Sequence, residues 1–94
     1  MDEGVILHEL GRRIRAQRKR IGLTQEELAL VANVDRSYFG AVERGERNIN
    51  FLVLYRLCLA LRCDVAALTK EMPPQSGGIR GLLFLIFCVA TKAR

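Results

Sequence analysis

Thr24-Gln25-Glu26-Glu27-Leu28-Ala29-Leu30-Val31-Ala32-Asn33-Val34-Asp35-Arg36-Ser37-Tyr38-Phe39-Gly40-Ala41-Val42-Glu43 is the stretch on which the fold turns. Thr24, followed three residues on by Glu27, has the pattern of a capping box, in which each side chain accepts the other's backbone N–H. Leu28, Ala29 and Val31 supply apolar positions for a short helix ending near Val31. Asn33 suits a tight turn, because its short polar side chain tolerates the left-handed backbone that most residues avoid. Asp35 is a good N-cap for another short helix, running through Ser37, Tyr38, Phe39, Ala41 and Val42 to Arg44, where Gly45 stops it. Two short helices joined by a tight turn are therefore expected.

Upstream, Leu7, Leu10 and Ile14 recur at spacings of three and four, which predicts an amphipathic helix over 5–20 that ends at Gly22. Its outer face is basic: Arg12, Arg13, Arg15, Arg18, Lys19 and Arg20 place six cations in nine residues. Downstream, Glu46 to Ile49 read as a loop. Asn50 caps a fourth helix through Arg62 that is apolar on nearly every side and so is expected to be broadly buried. Asp64 caps a last short helix through about Lys70, with Val65 and Leu68 inward, and Pro73-Pro74 prevent its continuation. The fold class is all-α, a five-helix domain over residues 1–72. A Pro/Gly-rich linker (73–78) and an apolar tail (79–94) follow, the tail being read first as dimer reinforcement, then as a partner-binding segment or a peripheral membrane contact. Within the tail, Leu82 to Ala90 are nine apolar residues in a row, far short of the about 20 that a helix needs to cross a bilayer.

Composition bounds the function. Ninety-four residues support one small domain with little room for a substrate cleft. Half the residues are apolar and 27% charged, too apolar for a disordered chain and too charged for a multi-span membrane protein. Fifteen Lys plus Arg against ten Asp plus Glu leave +5, which favours a polyanionic partner. Three cysteines do not make a disulfide framework, and the N-terminus lacks a signal-length apolar core, so a reducing cytoplasm is expected. His8 has no carboxylate or thiol companion nearby, and Cys58 and Cys63 lack the paired spacings of zinc ligands and read as core thiols. With no nucleophile motif and no glycine-rich phosphate loop, no enzyme, cofactor or metal is expected.

From Leu10 to Leu68 the order Arg18, Gly22-Leu23-Thr24-Gln25-Glu26-Glu27-Leu28-Ala29, Val42-Glu43-Arg44-Gly45 and Ala60-Leu61 resembles the lambda-repressor/Cro-like (Xre) DNA-binding domain, over about two-thirds of the chain. Within that family, Ser37-Tyr38-Phe39 and Glu43-Arg44-Gly45-Glu46-Arg47-Asn48 resemble most the controller proteins of restriction-modification systems. The resemblance implies a partly buried ion pair between Arg18 and Glu43, and DNA contacts from the loop at Arg47 and its neighbour Asn48.

The physics of the motif is independent of the family. A short helix enters the major groove, its N-terminal residues reach base edges, and the preceding helix crosses the phosphate backbone. Arg36 and Ser37 hold the leading positions; Arg36 is the candidate for bidentate guanine contact, against the plain reading of a solvated charge. Ser37 serves either base or phosphate, or merely starts the helix. Ala41 shares its face and suits a thymine methyl. Tyr38 either contacts a phosphate or packs its ring on the first helix. Gln25 is a candidate phosphate clamp or a plain helix-start residue, and Arg44 and Arg47 flank the end of the recognition helix.

One such unit has a small footprint, so a two-fold dimer on a palindrome, with half-sites about 34 Å apart, is expected. The fourth and fifth helices, through Leu57, Leu61, Val65 and Leu68, are its expected interface, as the resemblance also implies. Double-stranded DNA is the expected partner and transcriptional regulation the expected function. The rival is an antitoxin-like module whose tail holds a protein partner.

Overall fold

The computed structural model describes residues 3–72, which form five helices: α1 (Glu3–Arg20), α2 (Gln25–Ala32), α3 (Arg36–Glu43), α4 (Phe51–Leu61) and α5 (Val65–Thr69). The linker and the apolar tail lie outside the described residues. The helix starts follow local chemistry. Thr24 and Glu27 make the reciprocal capping box, and Asp35, Asn50 and Asp64 each accept the N–H three residues on. Thr24 donation holds the Glu27 carboxyl below its usual range.

Four helix ends share one device. Leu23, Val34, Glu46 and Cys63 each donate a backbone N–H to the carbonyl five residues back, across a left-handed residue at Gly22, Asn33, Gly45 or Arg62. Arg62, at φ 58°, is not legible as a stop from its residue type. At Gly45 (φ +77°) the absence of a side chain also lets the loop seat on α1, where a Cβ would lie 2.8 Å from the His8 nitrogen.

The core gathers Ile14, Leu28, Phe39, Leu57 and Leu61, all fully buried, ringed by Leu10, Ala29, Ala32, Val42, Leu54, Cys58 and Leu68. Each large side chain contributes about 1.5–3 kcal/mol on burial. Burial also pushes the Cys58 thiol up to about 11. α1 crosses α3 so closely that a Cβ on Gly11 would stand 2.3 Å from the Glu43 carbonyl oxygen. Polar residues of α1 satisfy the ends of other helices. Gln17 donates to the Leu61 carbonyl at 3.0 Å, and Arg13 donates to the carbonyls of Leu68 and Lys70 at 3.1 and 2.5 Å.

Several expectations need correction. α1 starts two residues before position 5, and Arg44 caps α3 rather than belonging to it. In α2 the inward position after Ala29 is Ala32; Val31 is exposed, because Leu28, Ala29 and Ala32 already complete the inward stripe. α4 is not broadly buried: Leu54, Leu57, Cys58 and Leu61 face the core, while Phe51, Leu52, Tyr55 and Leu59 are 50–70% exposed. Leu57, Leu61 and Leu68, expected at a dimer interface, have almost no accessible surface, and Val65 packs half-buried against them. A four-residue inward stripe at helical spacing is what one small core needs, so the unpartnered apolar surface is the other side of the same helix. Within the basic block Arg18 is buried, as the resemblance implies, while Arg12 and Arg13 both pair with Glu9 at 2.8 Å.

Gly11→Ala should lower stability by at least about 2 kcal/mol, because backbone rather than a movable side chain opposes the added methyl. Thermal melts should show a fall of roughly 10 °C. The Arg12 and Arg13 guanidiniums hold the Glu9 carboxyl at about 2 against an ordinary 4.5. A depressed carboxylate stabilises above the unfolded value, and that contribution disappears as pH falls from 4.5 toward 2. Melting temperature should therefore decline over this window more steeply in the parent than in Glu9→Gln; parallel curves would show that Glu9 contributes nothing there.

Candidate nucleic-acid interface

α3 presents its leading edge because of how its other end is held. Arg18 Nε and Nη2 donate to the two Glu43 carboxylate oxygens at 2.6 and 3.1 Å, with the two side chains 10% and 2% exposed. A third Arg18 N–H reaches the Leu23 carbonyl at 2.9 Å, in the connection between α1 and α2. Gln25 donates from Nε2 to Glu43 Oε1 at 2.9 Å. One carboxylate thus ties α1, the α1–α2 turn, α2 and α3 to a single point.

Phe39, Gly40, Val42 and Glu43 turn inward, and this leaves Arg36 and Ser37 at the exposed start of α3. Neither side chain has an intramolecular hydrogen-bond partner among the described residues. The Asp35 carboxylate accepts the Tyr38 N–H at 3.0 Å, and among the described residues no ion pair joins it to Arg36. Ala41 lies half-buried one turn further along.

The remaining candidates are tied to the loop or the core. Tyr38 packs half-buried against the core, and its hydroxyl donates to the Asn48 carbonyl at 3.1 Å. The Arg47 guanidinium lies over its ring, 5.4 Å from the centroid. The ring thus serves as a post that fixes the loop beside α3, which the two sequence readings of Tyr38 did not include. Asn48 accepts the Ile49 N–H on its own Oδ1 at 2.9 Å. Arg44 is exposed and pairs with Glu46 at 3.0 Å, an exchangeable surface contact. Gln25 donates one amide N–H to Glu43, with its Oε1 near Gly40, and so joins the polar knot at the start of α2 with a second amide N–H to spare. The structure therefore brings Arg36, Ser37, Tyr38, Ala41, Arg44, Arg47 and Asn48 onto one helix and its following loop. Among the described residues no three His, Cys, Asp or Glu side chains gather as a metal site would require, and no helix is long and apolar enough to cross a membrane.

Removing one partner of the buried knot is expected to cost more than removing both. Glu43→Ala strands the Arg18 charge and should lower stability by about 3–5 kcal/mol, whereas Arg18→Met combined with Glu43→Met should recover most of the loss. Urea unfolding of both single variants and the double variant measures this; losses that simply add in the double variant would show that the pair is not coupled.

A helix-turn-helix family model matches residues 14–68, more than half of the chain. The control protein C.SmaI of Serratia marcescens is 39% identical over 59 residues, covering 63% of this chain and 70% of that protein. The immunity repressor protein of Bacillus phage phi105 is 40% identical over 62 residues, covering 66% of this chain and 43% of its own length. Among solved structures, the restriction-modification controller protein C.AhdI from Aeromonas hydrophila superposes with a TM-score of 0.67 at 41% identity, covering 68% of this chain and 97% of that one. With the match spanning all five helices, the chain belongs to the Xre-like, lambda-repressor-like family of helix-turn-helix DNA-binding regulators.

Proposed function

We propose that this regulator binds a palindromic operator as a homodimer and controls a restriction-modification operon from the cytoplasm. The observation that carries the reading is the start of α3, where Arg36 and Ser37 stand exposed and, among the described residues, unpartnered on a helix fixed at its other end by Arg18, Glu43 and Gln25. A preorganised helix loses little freedom on entering the groove, so the contact energy goes to base discrimination. Arg36 reads guanine, Ser37 a base edge or phosphate, and Ala41 a thymine methyl. Arg44, Arg47 and Asn48 bind the phosphate backbone beside them, with Tyr38 holding their loop in place. Gln25, oriented by its bond to Glu43, offers its second amide N–H to a phosphate.

Dimerisation belongs to the outer face of α4, where Phe51, Leu52 and Tyr55 are exposed on one side of the helix. Such a patch is what an isologous two-fold contact requires. The relationship to a control protein and to a restriction-modification controller protein, with the latter covered almost entirely, favours an operon of that kind. A phage immunity repressor is also similar, but this chain spans less than half of it.

Selection of duplexes from a random pool at about 0.15 M salt should yield a palindrome whose half-sites are one helical turn apart. Arg36→Ala should weaken that operator by about 5–150-fold for each half-site, corresponding to about 1–3 kcal/mol per contact, with little change on random DNA. Arg44→Ala should weaken all sequences alike and lower the salt slope by about 1. A pool that yields no palindrome would remove this reading and favour a protein partner as the main target.

A further inference from the structure

Beyond the dimer face, α2 and α4 frame a second apolar surface. Leu30, Val31 and Leu59 are 80%, 65% and 64% exposed, and a groove of about 250 Å³ runs between the two helices, lined by Val31, Ala32, Asn33, Arg56, Leu59 and Ala60. Large aliphatic side chains this open, on helices whose inward stripes are already filled, indicate a surface that something covers.

The sequence contains one segment of matching chemistry. Leu82-Leu83-Phe84-Leu85-Ile86-Phe87-Cys88-Val89-Ala90 carries no charge, whereas Arg80 before it and Lys92 after it are cationic. We propose that this segment docks intramolecularly in the groove between α2 and α4, so that Val31 and Leu59 are covered by the chain's own tail.

Two arguments select this occupant. Nine residues, 73–81, separate Met72, the last described residue, from Leu82. Extended, they span up to about 30 Å, enough to cross a seventy-residue domain with a radius of gyration of about 11 Å. A tether of that length also holds the segment at an effective concentration near millimolar, which a separate copy at micromolar concentration does not match. Leu59 stands on the same side of α4 as Leu52 and Tyr55, so the docked tail adjoins the face assigned to the dimer. The inference does not depend on which operator is bound.

Cys88 provides the test, since it lies inside the proposed segment. In the full chain carrying Val31→Cys, exchange with oxidised glutathione should join position 31 to Cys88 within one molecule. Mixing nitrogen-15-labelled and unlabelled copies separates intramolecular from intermolecular links by mass spectrometry; the intramolecular product should exceed the other by about a thousandfold at micromolar protein. Leu59→Cys should give the same link, and Arg15→Cys, on the outer side of α1, should not. Phe84→Ser combined with Phe87→Ser in the Val31→Cys chain should reduce the yield at least about tenfold. Links only between copies would assign the groove to a neighbour's tail and overturn the proposal. So would equal linking at position 15, or no link at 31 and 59, which would leave the groove to another protein or a lipid surface.

Discussion

The bond between Arg18 and Glu43 is the constraint on which the rest of the arrangement depends. Both side chains are nearly removed from water, which is costly for isolated charges. The cost is offset because each charge is held by three hydrogen bonds: Arg18 has two bonds to Glu43 and one to Leu23, and Glu43 has a further donor in Gln25. A hydrophobic pair of similar volume would bury as well, but it would not fix direction. The two-pronged contact sets the orientation of α3 relative to α1, and so the direction in which Arg36 and Ser37 point. Gly11 adds the complementary steric condition, since only a residue without a Cβ lets the α1 backbone come this close to the Glu43 carbonyl.

The cations of α1 divide by what they meet. Arg18 is internal, and Arg13 bonds the carbonyls at the end of α5 while pairing with Glu9. Arg15, Lys19 and Arg20 remain on the surface. The +5 balance already counts these cations together with the acids they meet, so the pairing changes where the positive charge lies and not how much there is. The same helix that contributes long-range attraction to a polyanion also closes the polar ends of α4 and α5. A substitution in this block consequently has a structural component whose size depends on which face the residue occupies.

Sequence alone determined the punctuation of this protein. Thr24 with Glu27, Asp35, Asn50 and Asp64 mark helix starts, and Gly22, Asn33 and Gly45 mark stops, because capping and left-handed backbone are settled by residues within a few positions of each other. The helix-turn-helix order, and with it the exposed position of Arg36 and Ser37, followed from those marks. What only the tertiary structure decided is which side of each helix faces inward when both sides are apolar, and which polar groups find distant partners. In α4 the composition is apolar all round, so nothing local distinguishes Leu57 and Leu61 from Phe51 and Tyr55; contact with α1, α2 and α5 makes the choice. Gln25 bonding to Glu43, Tyr38 to Asn48 and Arg13 to Leu68 likewise join residues ten to fifty-five positions apart. Periodicity measures a helix against itself, whereas these choices are made by neighbours that the chain brings close only on folding.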